Sequence, residues 1–344
     1  MVQIEYKQSL PYLAKLADDN NAASESRAAA KQAMASIGHG AEGDRASLFT
    51  QLSEQFYNRV DSLKPDSRSD KANVWYLRDD ELRVVSVPAD IFCDVMAMRC
   101  AEEALLANPN MAEATALWLA ANFRREAHLG LSVESELADS LASKDPTRPE
   151  NYPRAMYFAR TAGARYNHMV LARAVKDRDP GVALGAIAAL AQTGGEQGLV
   201  GVEDGMQPLV AALSFPNRQV RLKAALALGR AMPKNGFQGD HQIVPVLSEA
   251  LMQSGRLAAL VADGDSQSAN KLQALLRAAG YDVAVGPSLF EALQSGEKAG
   301  LATFDVAILA SDLKSPDAEA AVRELRKNLE TAATPILVVT KAGE

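Results

Sequence analysis

Apolar positions along this chain follow two regimes, a helical spacing up to Gln253 and an alternation of strand-like and helix-like runs beyond it. The stretch from Gly205 to Pro233 shows the first regime most plainly. Leu209, Val210 and Leu213 recur at helical spacing, Pro216 and Asn217 make a turn, and Val220, Leu222, Ala225, Leu226 and Leu228 resume the spacing. This predicts a short helix, a tight turn and a second helix. A step of 38 residues upstream brings Leu171, Val175, Val182, Leu184, Ala186, Ala189 and Leu190 under Leu209, Leu213, Val220, Leu222, Ala224, Ala227 and Leu228, with Asp179 and Pro180 at the turn. The same step downstream places Leu247, Ala250 and Leu251 under Leu209, Ala212 and Leu213. Two helical pairs and half of a third are expected.

Towards the N-terminus the pattern predicts a helix around Leu10 to Leu16, a small-residue polar tract with a helical middle, and an amphipathic helix with Leu48, Leu52, Phe56 and Val60 at four-residue steps. Pro65 lies beyond it. The run NVWYLRDDELRVVSVP reads as two extended segments around a charged turn from Arg78 to Glu81, with Trp75 and Tyr76 covering the neighbouring helix. From Ala89 the chain turns helical again, and Pro146, Pro149 and Pro153 mark a joint. The expected domains are 1–88, helices plus a hairpin; 89–150, helical pairs; 151–254, repeated helical pairs; and 255–344, α/β. In that last block LAALVA, YDVAV, DVAILA and PILVVT read as strands separated by three helices, which predicts a parallel sheet covered on both faces.

The 38-residue recurrence, with Val220 and Arg221 opening the second helix, resembles HEAT repeats, whose period is roughly 40 residues. Each such pair buries one face and needs a stacked neighbour, and the alanines of ALGAIAAL and AALALG permit close approach. Ala97, Ala101, Ala104 and Leu105, then Asn108, Pro109 and Asn110, then Glu113 and Ala114, resemble one tetratricopeptide repeat passing into the next. The resemblance implies an α-solenoid, which is a protein-binding architecture.

Residues 256–344 resemble a response-regulator receiver domain, a flavodoxin-like α/β fold, through VADGD after the first strand, AGYDV, FDVAIL, and TPILVVT ending in Thr340. The family implies a magnesium-holding acidic pair after the first strand, a phosphoryl-accepting aspartate ending the third, and a switch hydroxyl after the fourth. Asp263 matches the first acid, Gly264 stands at the second, and Asp265 follows one place later. Thr340 matches the switch. Counted from Phe304 and Asp305 the acceptor falls on Ala310, and counted back from Pro316 it falls on Asp312. The acceptor carboxylate is the nucleophile toward phosphorus, and converging acids must hold the divalent ion. The resemblance ends after the fourth strand, so the sheet is expected to be incomplete, with the chain a fragment or a partner completing the edge.

Of the 344 residues 48% are hydrophobic and 6% aromatic, which suits helical stacking over a sandwich or barrel. A net charge of −7 argues against a general nucleic-acid binder. One stretch departs from that balance, with Arg154, Arg160, Arg165 and Arg173 as a candidate basic surface. The expectation there is that these arginines pair with neighbouring acids, because aromatics are not interleaved as in single-strand binders. Cys93 and Cys100 sit two helical turns apart on one face, as core residues, and His39, His128, His168 and His241 show no ligand spacing. No apolar run approaches about 18 residues, and no leader pattern opens the chain, so a cytoplasmic setting is expected. The combined expectation is a non-enzymatic scaffold that binds protein partners, needs no cofactor and carries an unphosphorylated receiver-like module. Two alternatives stand beside it. One is a phosphoaspartate signalling protein using Mg2+ with Asp263, Asp265, Asp312 and Thr340, and the other is a nucleic-acid-binding solenoid.

Overall fold

The structure, a computed structural model, describes residues 6–37, 44–78, 81–136, 141–200, 207–231, 236–251, 257–301, 303–328, 331 and 334–340. It has a mostly helical N-terminal region of helix pairs, followed by a parallel four-stranded sheet alternating with helices. The chain divides into two compact units, Met1–Ala174 and Val175–Glu344. No helix among the described residues is long and apolar enough to cross a membrane.

The first unit opens with α1 (Leu10–Asp18), α2 (Ser24–Ile37) and α3 (Arg45–Tyr57). Asp44 starts α3 by accepting the Ser47 amide at 2.8 Å, which satisfies one of the orphan donors of the first turn. A hairpin of β1 (Lys71–Arg78) and β2 (Glu81–Pro88) then leads directly into α4 (Ala89–Ala107), and α5 (Ala112–His128) follows. Helices α3, α4 and α5 pack side by side. Their shared core mixes large residues with small ones: Phe49, Leu52, Met98, Leu117 and Phe123 interleave with Ala97, Ala101, Ala104, Ala120 and Ala121. Both cysteines lie buried in α4, as core residues should. The unit ends with α6 (Leu141–Lys144), α7 (Ala155–Ala162) and the start of α8 (Ala164–Asp177).

Strand alternation decides which hairpin side chains are covered. Ala72, Val74 and Tyr76 face Ile91 and Val95 of α4, together with Val85 and Val87. Trp75 pairs with Val84, and Leu77 with Leu82, on the opposite face. All four are exposed, Trp75 at 52% and Leu77 at 73%. The expectation that Trp75 and Tyr76 both cover the helix therefore holds for Tyr76 alone, because neighbours in a strand cannot share a face.

The proline-rich segment before α7 is fastened to α5 by buried charge. Arg125 of α5 pairs with Asp145, both fully buried. Glu126, the next residue, accepts the Ala155 amide at 2.8 Å and pairs with Arg154 at 3.0 Å, while Arg154 also donates to the Ser132 carbonyl at 2.8 Å. Asp145 further accepts from the Thr147 amide and hydroxyl at 3.0 and 2.6 Å.

In the second unit α9 (Pro180–Thr193) starts at an Asp179 cap that accepts the Val182 amide at 3.1 Å, with Pro180 at the first helical position. The short helices α10 (Gly195–Val200) and α11 (Pro208–Ala211) precede α12 (Arg218–Ala231), which packs on α9 and on α13 (Ile243–Leu251). The Val220 and Arg221 pair divides its labour. Val220 is fully buried, and Arg221 clamps the turn through the Phe215 and Pro216 carbonyls at 3.0 and 3.1 Å while pairing with Glu249 of α13 at 3.0 Å.

The remaining elements are β3 (Leu257–Ala262), α14 (Ser266–Ala278), β4 (Tyr281–Gly286), α15 (Leu289–Lys298), β5 (Val306–Ala310), α16 (Ala318–Lys327) and β6 (Ile336–Val339). All strand pairs are parallel and the order is β4-β3-β5-β6. Leu260, Ala284, Ala307 and Leu309 of the strands pack with Leu289 and Ala292 of α15 and with Ala321 and Leu325 of α16. Helix α14 packs on β3 and β4. At the edge, β6 leaves Leu337, Val338 and Val339 exposed.

Candidate functional site

Parallel strands carry their ligands at their C-terminal ends, so the acids expected to act lie where β3 and β5 finish. Asp263 follows β3 and is 5% exposed. Its amide donates to the Gly286 carbonyl at 3.1 Å, and its carboxylate accepts the Asp265 amide at 2.8 Å, which closes a tight turn over Gly264. Asp265 caps α14 by accepting the Gln267 amide at 2.9 Å. Both acids thus have local backbone partners.

At the end of β5, Ala310 is the last strand residue, paired with Val339 and 6% exposed. The Ser311 amide donates to the Val339 carbonyl at 2.9 Å, and the Leu313 amide to the Ala310 carbonyl at 3.3 Å, so Asp312 sits in the turn that follows, exposed. Thr340 comes directly after β6 and is also exposed. Asp305, before β5, accepts the Ala258 amide at 2.8 Å and lies 3.4 Å from Arg218 of α12. Among the described residues, no three His, Cys, Asp or Glu side chains come together to hold a metal ion.

The basic stretch is largely matched by acids of the same unit. Arg154 is 2% exposed on Glu126, Arg160 pairs with Glu136, and Arg173 grips Glu54 while its guanidinium lies 5.1 Å over the Tyr57 ring. Arg165 is exposed on α8. The expectation about aromatics needs correcting. Tyr152, Tyr157 and Phe158 lie inside the stretch, and the Phe158 ring meets both tyrosines and Trp118 of α5, because the buried ion pairs hold the head of α7 against α5.

One constellation has no local signature in the sequence. Asp94, fully buried in the first turns of α4, lies 2.7 Å from Nδ1 of His128 at the end of α5. Arg59 reaches the same place, 3.0 Å from Nδ1 and 2.7 Å from the Asp90 carbonyl, from a left-handed backbone with φ of 51°. The antiparallel run of α4 and α5 brings these residues together. Only the folded hairpin of helices reveals it, since 34 residues separate the two partners. The clue available in the sequence was an acid in the first turns of one predicted helix and a histidine in the last turn of the next. His39 lies outside the described residues, while His168 is buried in α8 and His241 exposed.

Compared with protein-family profiles, curated proteins and solved structures, the chain finds no match.

Proposed function

We propose that the chain is a non-enzymatic scaffold for protein partners: an α-solenoid of tetratricopeptide-like and HEAT-like pairs followed by a flavodoxin-like, receiver-like module that takes up no phosphoryl group. The carrying observation is the end of β5, where Ala310 occupies the last paired position and Asp312 stands two residues further into the turn. Alanine has no nucleophile to offer. Asp263 and Asp265 support the same reading by serving the turn and the helix cap. Arg154, Arg160 and Arg173 already answer intrachain carboxylates, which leaves a nucleic-acid reading with little cationic surface in that stretch. We place the protein in the cytoplasm, in keeping with two free, buried cysteines.

Incubation with acetyl phosphate and Mg2+ tests the module. No hydroxylamine-sensitive label is expected. A stoichiometric label that disappears in Asp312→Asn would overturn the reading. The phosphoacceptor alternative keeps one observation in its favour: β5 and β6 pair in parallel, so Asp312 and Thr340 follow the ends of neighbouring strands. In that case Asp263 and Asp265 would hold the Mg2+ ion.

A further inference from the structure

Four aromatic rings meet on the surface of the first unit. Phe158 of α7 is the hub. Trp118 of α5 meets it at 5.0 Å and 76°, Tyr157 at 5.5 Å and 88°, and Tyr152 at 5.6 Å with a tilt of 34°. Tyr157 is 53% exposed and the other three are half-buried, so the rings form an open wall rather than a core. Glu102 of α4 closes one side. Its Oε1 accepts the Trp118 indole N–H at 2.9 Å, and its side chain remains 44% exposed. One helical turn further, Leu106 is 74% exposed.

We propose that this wall docks an extended, proline-containing segment of a partner protein that presents an arginine or lysine to Glu102. The inference rests on reading the chain as a protein-binding scaffold and names the surface and the kind of partner. Three features carry it. Ring walls of this type suit the polyproline II helix, which arrives already extended and loses little entropy on docking. The hydrogen bond to Glu102 fixes the indole before any partner arrives, so less ordering is left for binding.

The third feature is charge. Arg148, flanked by Thr147 and Pro149, stacks its guanidinium 4.7 Å over Tyr152 and lies 3.9 Å from Glu102 Oε1. The chain thus bears on itself the pairing that a partner would repeat: a cation on an aromatic face within reach of a carboxylate. The half-exposed Glu102 carboxylate favours a basic partner over a phosphate backbone. Stacked bases are the competing occupant, and Arg160 of α7, which could have met their phosphates, pairs with Glu136 instead.

The two tryptophans are Trp75 and Trp118, so the full chain carrying Trp75→Phe reports on the wall alone. Titration with a synthetic repeat of Pro-Pro-Arg is expected to give a saturable change in Trp118 emission, and a Pro-Pro-Glu repeat none. Tyr157→Ala and Glu102→Gln are each expected to weaken the response roughly tenfold, and both positions are exposed enough to spare the fold. Equal responses to the two peptides, a response to oligothymidylate instead, or no response from a chain with unaltered thermal unfolding would each overturn the site. Failure here with phosphodonor labelling also absent leaves the scaffold reading standing. A label at Asp312 removes that reading whatever the peptides do.

Discussion

The Arg125 guanidinium and the Asp145 carboxylate form a fully buried ion pair across 20 residues of sequence. Burial pushes the Arg125 pKa down from its usual range. Such a pair is costly to assemble and worse to halve. Asp145→Ala, which strands the guanidinium, is expected to cost about 3–5 kcal/mol in urea unfolding. The double change Arg125→Met with Asp145→Leu should cost less than the single one. A loss for Asp145→Ala below about 1 kcal/mol would mean that the charge finds water after all.

Alkaline pH gives a second test. Burial pushes the Cys100 thiol up to about 12 and raises that of Cys93, while unfolded thiols ionise near 9.0. Folded thiols therefore keep their protons where unfolded ones lose them. This contribution to stability is whole below pH 9.0 and is lost as pH rises toward about 12. Cys100→Ala should flatten the pH dependence in that window by about 1.4 kcal/mol per pH unit. Native thiols should also resist iodoacetamide until the protein unfolds.

Gly286 ends β4 against the first turn of α15. A Cβ there would lie 2.2 Å from the Ala292 nitrogen and 2.6 Å from the Glu291 carbonyl carbon. Backbone atoms cannot step aside as a side chain can. Gly286→Ala is expected to cost at least about 1–3 kcal/mol, read from the chemical denaturation midpoint of the full chain. An unchanged midpoint would show that α15 slides along the sheet.

Asp265 offers a test in which charge and hydrogen bonding come apart. As the cap of α14 it is replaceable by asparagine and not by alanine. Asp265→Ala should lose about 0.5–2 kcal/mol and Asp265→Asn a few tenths, followed by thermal unfolding. If asparagine proves as damaging as alanine, the carboxylate is needed for its charge, as a magnesium ligand would be.

Local pattern carried much of the architecture. Leu171, Val182, Leu190, Leu209, Val220 and Leu228, picked out by their helical spacing, all lie buried on helices, because each helix buries one stripe. The apolar runs from Leu257, Tyr281, Val306 and Ile336 became strands of one parallel sheet. Trp75 and Tyr76 were harder, since strand period alone decides their faces. What local pattern could not carry is the pairing of residues on different helices. Arg125 with Asp145, Asp94 with His128, and Trp118 with Phe158 are set by how helices lie against one another. The ladder alone shows that Ala310, rather than Asp312, ends β5.

The exposed outer face of the β1–β2 hairpin has a kinetic consequence. Residues 72–77, ANVWYL, have neither charge nor proline and are rich in strand-forming side chains, which is the composition of a steric-zipper segment. Docking on α4 hides the inner half of that segment, Val74 and Tyr76, behind Ile91 and Val95. Until docking occurs, both faces are open and the chain is most able to associate with itself. Lys71 and Arg78 flank the segment, and as like charges they oppose the in-register stacking that fibres need. The yield on refolding is thus a race between a helix closing over one side of a ribbon and another ribbon arriving on the other, with two cations slowing the second runner.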